Sequence, residues 1–249
     1  RLMARVSVDS AGVQGDGHSL QSNISADSLS ADGRFVAFES EATNLVTGDS
    51  NAVTDVFVHD RQTGATNRIS VSSAGVQGDG SSFKPKISDD GRFVSFNSNA
   101  SNLVAGDSNG VSDSFVHDRQ TGTTTRVSVD SAAAQGNSSS FEASISGDGR
   151  FVAFQSQASN LVTGDSNASD DVFVHDRQTG ATTRVSVGPG AVQANAGSAA
   201  PSISADGRIV AFHSNASNLV AVDTNAFQDV FVHDRQTGST SLVSLDTSD

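Results

Sequence analysis

The chain has 249 residues and a formal net charge of −13, from 28 acidic and 15 basic side chains. It has no cysteine, which excludes disulfides, thiolate metal sites and a cysteine nucleophile. No stretch clusters Lys or Arg with aromatic residues and no apolar run approaches the roughly 18–20 residues of a membrane span, so neither nucleic-acid binding nor membrane insertion is expected.

The sequence repeats with a period of 58 residues. The string DGRFVAF or a close variant begins at Asp32, Asp90, Asp148 and Asp206, and the string FVHDRQTG keeps the same spacing from Phe57 onward. RVSV-type segments begin at Arg5, Arg68, Arg126 and Arg184, and the last one reads LVSL from Leu242. The first module is longer by five residues, which lie within residues 24–33. A fixed period of this length indicates a repeat architecture.

Each module contains four short β-prone runs separated by Gly, Asn, Asp and Ser, without helical periodicity. In the third module the predicted strands cover residues 141–146, 150–156, 171–176 and 182–187. The sequences GDG at 147–149 and DRQTG at 176–180 place Gly and Asp where hairpins need a positive φ or a side-chain-to-backbone bond. The unit is therefore a four-stranded meander.

The fourth strand of each module differs in pattern from the two middle strands. RFVAF and DVFV are apolar on both faces, as expected of strands covered by sheets on either side. The fourth strand alternates: Val185 and Val187 would face inward, while Arg184 and Ser186 would face water. Stacked sheets with a polar outer strand are typical of β-propeller blades.

These motifs carry a family resemblance: with SISADGRFVAF, DVFVHDRQTG and TTRVSV, the sequence resembles the TolB-type, WD-repeat-like β-propellers over essentially its whole length. The resemblance implies an all-β propeller of four complete 58-residue blades, each of four antiparallel strands, with the RVSV strand outermost. It also implies that residues 1–8 are an extra N-terminal outer strand. We therefore expect a single array over residues 1–249, with blades at 9–71, 72–129, 130–187 and 188–245.

The number of blades leaves the closure of the propeller open. TolB-like propellers usually have six blades, and a ring often fastens itself by sharing one blade between its termini. Three alternatives follow for four blades: a fragment of a longer propeller, a small closed ring, or a protomer that closes or polymerises with copies of itself.

The loop between the second and third strands of each module is acidic. We call these four segments, which begin at Gly48, Gly106, Gly164 and Val222, the acidic loops. Their shared DxNxxxD pattern would offer Ca²⁺ side-chain oxygens at positions 1, 3 and 7 and a backbone carbonyl at position 5. The predicted calcium ligands are Asp49, Asn51, Val53, Asp55, Asp107, Asn109, Val111, Asp113, Asp165, Asn167, Ser169, Asp171, Asp223, Asn225, Phe227 and Asp229. The alternative is that Asp and Asn only form Asx-turns and begin the next strand.

Other repeated residues are interpreted as structural. The histidines of FVHDRQTG lie at strand ends and are expected to be packed or hydrogen-bonded, and Arg34 is expected to pair with Asp60. The repeated glutamines, such as Gln77, are expected to satisfy exposed backbone groups in a glycine-rich crossover.

No constellation of a nucleophile, base and acid breaks the symmetry of the repeats, so an enzyme is not expected. The sequence predicts a calcium-stabilised, secreted or periplasmic scaffold that binds a protein partner or itself, through strand edges or a propeller face. A self-assembling surface or filament protein is the alternative, and a propeller-type hydrolase or lyase is a less favoured one. A glycan partner is disfavoured because Trp and Tyr are absent.

Overall fold

The structure is a computed structural model that describes residues 5–20, 28–223, 225 and 227–244. Within these ranges the regular structure is entirely β, apart from one short 3-10 turn at Pro189–Ala191. No helix in this part of the chain is long and apolar enough to cross a membrane.

The strands form four consecutive four-stranded antiparallel sheets. The first sheet contains β1 (Ser19–Leu20), β2 (Phe35–Ser40), β3 (Asp55–Asp60) and β4 (Thr66–Arg68). The second contains β5 (Ser82–Ile87), β6 (Phe93–Ser98), β7 (Asp113–Asp118) and β8 (Thr123–Arg126). The third contains β9 (Ser140–Ile145), β10 (Phe151–Ser156), β11 (Asp171–Asp176) and β12 (Thr182–Arg184). After the short pair β13 (Val187–Gly188) and β14 (Val192–Gln193), the fourth sheet contains β15 (Ser198–Ile203), β16 (Ile209–Ser214), β17 (Asp229–Asp234) and β18 (Ser239–Leu242). The prediction of four-stranded antiparallel blades is confirmed.

The hairpin turns have the predicted chemistry. Gly149 and Gly180 have φ values of 72° and 77°, which L side chains rarely adopt. In the second of these turns, the amide of Gly180 donates to the carbonyl of Asp176 over 2.8 Å, and the amide of Gln178 donates to the Asp176 carboxylate over 3.0 Å. These turns therefore fix the register between the two strands that each of them connects.

The structure divides into two compact units, residues 1–126 and 127–249, and each contains two of the four sheets. The single array and the blade boundaries given above stay predictions. In the first unit, Ile87 of the second sheet lies in one buried cluster with Val56, Val58 and Ile69 of the first sheet. In the second unit, Ile203 lies in the matching cluster with Val172, Val174 and Val185 of the third sheet. Each unit is therefore held together by the inner strand of one blade packing on the face of the blade before it.

The prediction that Arg184 and Ser186 face water is wrong. β12 ends at Arg184, and the chain then turns inward, so that Val185, Ser186 and Val187 are all buried. The Arg184 side chain is only 10% exposed because its guanidinium reaches two carboxylates. A strict two-residue alternation does not apply where a strand ends within the motif.

Val8 makes the same contact as the equivalent valine of the next repeat, and the extra N-terminal outer strand over residues 1–8 stays a prediction. The Thr66 hydroxyl donates to the carbonyl of Val8, as the Thr124 hydroxyl donates to the carbonyl of Val71 in the next repeat. Residues 1–4 lie outside the described residues, as does most of the five-residue insertion predicted within residues 24–33.

The contact between neighbouring blades predicts a specific glycine requirement. A Cβ atom at Gly207, where φ is +69°, would lie 2.1 Å from the Phe151 ring, whereas a Cβ at Gly180, where φ is +77°, would meet nothing within 4 Å. Gly180→Ala is expected to cost about 1–2 kcal/mol of backbone strain, and Gly207→Ala about 1–3 kcal/mol more through overpacking. Thermal unfolding of both variants checks this, and equal melting temperatures would contradict the packing argument.

Candidate functional site

An arginine connects the two carboxylates of each of the first three acidic loops. In the first blade, Nη1 of Arg68 lies 3.2 Å from Oδ1 of Asp49 and 3.1 Å from Oδ2 of Asp55. All three side chains are nearly buried, with exposed fractions of 9%, 4% and 0%. The guanidinium therefore lies where the sequence pattern predicts a metal ion.

The third blade repeats this arrangement. Nη1 of Arg184 lies 3.6 Å from Oδ1 of Asp165 and 3.4 Å from Oδ2 of Asp171. The Ser186 hydroxyl donates to Oδ1 of Asp171 over 2.6 Å, and the amide of Val172 donates to the same hydroxyl over 3.1 Å. The RVSV segment thus supplies both the positive charge and the hydroxyl that hold the buried carboxylate at the start of β11.

The next blade covers the site with its repeated glutamine. Nε2 of Gln193 donates to Asp165 over 2.8 Å and to Asp171 over 2.9 Å. In the first blade, Oε1 of Gln77 accepts a hydrogen bond of 2.6 Å from Arg68. The glutamines therefore bond to this charged cluster as well as to exposed backbone amides, since Gln77 accepts from the amide of Ser50 over 3.4 Å and Gln193 from the amide of Ser166 over 3.2 Å.

The Asn at position 3 of each loop forms an Asx-type turn. The backbone amide at position 5 donates to the Asn Oδ1 in all four loops, over 3.4 Å at Val53, 3.1 Å at Val111, 3.0 Å at Ser169 and 2.9 Å at Phe227. The last Asp of each loop begins the third strand. The Asx-turn alternative is therefore observed, and it accounts for the spacing of Asn and Asp by local hydrogen bonding.

Burial affects the protonation of these loops. It raises the pKa of Asp49 despite the opposing charge of Arg68, and it raises the pKa of Asp165 despite the hydrogen bond from Gln193. Desolvation disfavours a charged carboxylate, and in these two loops the nearby arginine compensates part of that cost.

In the first three blades the two aspartates predicted as calcium ligands lie together, but a guanidinium already lies between them. The described residues contain no group of three or more His, Asp or Glu side chains that could hold a metal. A calcium ion in the first blade would have to displace Arg68 from two buried carboxylates. Calcium in these loops stays a prediction.

Sequence reasoning did not identify the arginine, serine and glutamine partners of the loops. Arg68 and Ser70 are 13 and 15 residues from Asp55, and Gln77 belongs to the following module. The signal that could have found them is the fourth module, where the arginine is replaced by Leu242 and the loop departs from GDSN at the same time.

The repeated histidines have a structural role, as predicted. In every blade the Nδ1 atom of the histidine lies 2.9 Å from a threonine hydroxyl on the outer strand; the histidines are His59, His117, His175 and His233. All are at most 7% exposed, and desolvation lowers the pKa of each ring. The neutral imidazole is therefore the favoured form.

The predicted pair of Arg34 and Asp60 is confirmed. Nε and Nη2 of Arg34 donate to the two carboxylate oxygens of Asp60 over 2.9 and 2.6 Å. This bidentate pair recurs in every blade, and the arginine hydrogen bond holds the pKa of Asp60 well below its usual range.

A similar open groove occurs in the first three blades. The first, of about 570 Å³, is lined by residues including Ser10, Asn44 and Thr66. The second and third, of about 610 and 670 Å³, are lined by the equivalent segments one and two periods later. The first three repeats thus present the same groove of mixed polar and apolar residues.

Solved structures with a similar fold include TolB from Acinetobacter baumannii, an oligogalacturonate lyase from Vibrio parahaemolyticus and the tricorn protease. TolB is 18% identical, with a TM-score of 0.52 over 91% of this chain and 43% of its own. The lyase is 12% identical, with a TM-score of 0.56 over 91% of this chain and 53% of its own. The protease is 14% identical, with a TM-score of 0.52 over 87% of this chain and 21% of its own.

This chain therefore spans less than two thirds of the length of each of these proteins. No model of a known protein family matches the sequence, and no curated protein is similar to it. Identities this low show the fold alone, and a fold hosts several functions. The chain has a TolB-like β-propeller fold.

The buried arginines predict a large difference between two kinds of substitution. Arg184→Leu leaves two buried carboxylates without their cation and is expected to cost about 3–5 kcal/mol with a chelator present. Arg150→Leu removes a pair whose arginine is 38% exposed, so its cost is expected to be much smaller. Chemical unfolding of both variants tests the order, and a more destabilising Arg150→Leu would contradict it.

The buried histidines predict acid sensitivity. Their pKa values are lower in the folded state than the unfolded value of about 6.5, so the unfolded chain binds more protons as the pH falls below about 7. Stability is therefore lost between neutral pH and the folded pKa, by at most about 1.4 kcal/mol per pH unit for each histidine. Melting temperatures from pH 7.5 to 5 measure this loss. His175→Gln is expected to reduce the pH dependence, and a variant with the pH dependence of the wild type would contradict the prediction.

Proposed function

We propose that this chain is a non-enzymatic β-propeller scaffold that binds protein, and that its partner is a second copy of the chain. The observation that carries the proposal is an apolar surface on the fourth blade. We call it the open face; it comprises Val222, Phe227, Val230 and Val243, which are 71%, 75%, 43% and 51% exposed.

In the first and third blades, the positions equivalent to Val230 and Val243 are buried under the following blade. Val172 and Val185 of the third blade correspond to Val230 and Val243, and they are 0% and 2% exposed because the inner strand of the fourth blade packs on them. Val230 and Val243 therefore occupy repeat positions that form a blade interface in the third blade, and both are exposed among the described residues. Exposed apolar surface of this kind is typical of sites of protein association.

The composition of the open face is specific to the fourth module. Val222 replaces the glycine that begins the other three acidic loops, and Phe227 stands where the third loop has Ser169. These are large apolar side chains in a solvent-exposed loop, where a polar residue suffices for the fold. Binding to another surface gives them a physical role.

The first blade offers the complementary surface. Leu29 has the position of Ile87 and Ile203 in the repeat, and these two isoleucines are only 4% and 9% exposed because each packs on the preceding blade. Leu29 is 42% exposed. A second copy could therefore place the Leu29 side of its first blade on the open face, in the way that consecutive blades already pack within each unit.

Such a contact joins unlike surfaces, so repetition generates either a ring or a filament. The self-assembling filament is therefore the second candidate function, supported by the same face. Residues 5–7 and 242–244 have the same position in the repeat, so in such an interface only one of the two segments takes the outer-strand position.

The repeated histidines and arginines hold strands and blades together, which supports a role without catalysis. The resemblance to TolB-type propellers also favours a protein partner over a small-molecule substrate. We further propose a periplasmic or extracellular location, where the millimolar calcium suited to such acidic loops is present.

Self-association is the measurement that tests the proposal. The wild type is expected to show a weight-average mass that rises with concentration in light scattering. Phe227→Ser with Val230→Ser copies residues found at the same positions in other blades, Ser169 and Ser114, so it is expected to preserve the fold. This double variant is expected to weaken association by about tenfold or more, because it removes apolar area from the interface.

Val76→Ser is the matched control, since Val76 is 55% exposed but lies in a crossover of the second blade. It is expected to associate like the wild type. A wild-type chain that stays monomeric at every concentration, or a double variant that associates unchanged, would contradict the proposal. Electron microscopy of the associated protein distinguishes closed rings from filaments.

A further inference from the structure

The fourth acidic loop retains its carboxylates but has lost its arginine. Leu242 stands at the repeat position of Arg68, Arg126 and Arg184, while Asp223 and Asp229 keep the positions of the loop aspartates. The other half of the arrangement is intact, since the Ser244 hydroxyl donates to Oδ1 of Asp229 over 2.6 Å. This loop is therefore a copy of the other three from which the guanidinium has been removed.

The loss leaves a buried acceptor unpaired. Asp229 is 4% exposed, and its Oδ2 atom has no hydrogen-bond partner among the residues that the structure describes. The same atom accepts from the arginine in the first three blades, at 3.1 Å in Asp55 and Asp113 and at 3.4 Å in Asp171. An ionised carboxylate at this depth is costly unless a cation or a donor compensates it.

The remaining ligands favour a hard cation. Asp223 and Asp229 supply two carboxylates, and Asn225 supplies an amide oxygen at position 3 of the loop. Ca²⁺ binds carboxylate, amide and carbonyl oxygens together with water in flexible geometry, whereas Mg²⁺ demands near-ideal octahedral geometry and Zn²⁺ prefers His or Cys. In the first three blades, an arginine side chain already places a positive charge beside the equivalent carboxylate.

We propose that the fourth acidic loop binds one Ca²⁺ through Asp229, Asp223 and Asn225, in the place that an arginine side chain takes in each of the first three blades. The ion neutralises the Asp229 carboxylate and fixes the loop that carries Phe227. The first three loops bind no ion, because their guanidinium groups are attached to the chain and are not displaced. This inference does not rest on the proposed self-association.

Leucine in place of arginine at position 242 distinguishes the fourth loop from the other three, so substitution of this residue provides the test. Calcium chloride is titrated into metal-free protein up to about 10 mM, above the roughly 10⁻³ M dissociation constant of weak extracellular calcium modules. Equilibrium dialysis counts the bound ions at a protein concentration at which light scattering shows a monomer. The expected result is one Ca²⁺ for the wild type, none for Leu242→Arg, and at least tenfold weaker binding for Asp229→Asn.

Arg184→Leu is the converse variant, because it gives the third loop the leucine of the fourth. It is expected to bind two Ca²⁺ and to regain thermal stability with calcium but not with magnesium. This gain of a site keeps the proposal testable if Leu242→Arg fails to fold, and circular dichroism checks the folding of every variant.

Several outcomes would overturn the proposal. They are a wild-type chain that binds no calcium, one that binds four ions, and a single site that persists unchanged in Leu242→Arg. A wild-type chain that is stabilised by free arginine but not by calcium would also overturn it, since the missing cation would then be a guanidinium from another chain. Failure of self-association leaves the ion count unaffected, so the two proposals fail separately.

Discussion

The structure depends on one interaction, the ion pair between a buried arginine at the end of the outer strand and two carboxylates of the preceding acidic loop, which occurs in each of the first three blades. Arg184 lies within 3.6 Å of both Asp165 and Asp171, which are themselves only 6% and 0% exposed. Through Gln193 the same cluster bonds to the next blade. One charged group thereby connects a loop, an outer strand and a neighbouring sheet, because each buried charge must be compensated locally.

This coupling explains what the sequence could predict. The 58-residue period and the alternation of short apolar runs with Gly and Asp turns are local signals, so they gave the four sheets, the position of β11 and the turn glycines such as Gly180. Pairs that the repeat keeps in fixed register could also be predicted. Arg34 and Asp60 lie 26 residues apart in sequence but next to each other at the open end of one hairpin. These features follow from the order of residues along the chain and from strand pairing.

The content of the acidic loops could not be predicted in this way. A pattern of Asp and Asn describes acceptors, and it does not reveal which donor reaches them from another strand. The alternation in RVSV suggested an arginine in water, yet the chain turns inward after Arg184 and carries Ser186 into the interior. Tertiary contacts decide which cation lies beside the carboxylates. The sequence pattern therefore predicts calcium without revealing the arginine that competes with it.

The fourth blade departs from the other three at several positions. Leu242 removes the cation, Val222 and Phe227 add exposed apolar side chains, and Asp229 remains buried with one oxygen that has no partner among the described residues. If these changes only reflected relaxed constraint, loss of the arginine would favour loss of the carboxylate as well, because an unpaired buried charge is more costly than a neutral pair of residues. Retention of Asp229 beside Leu242 therefore argues that a charge from outside the repeat now fulfils the role of the arginine.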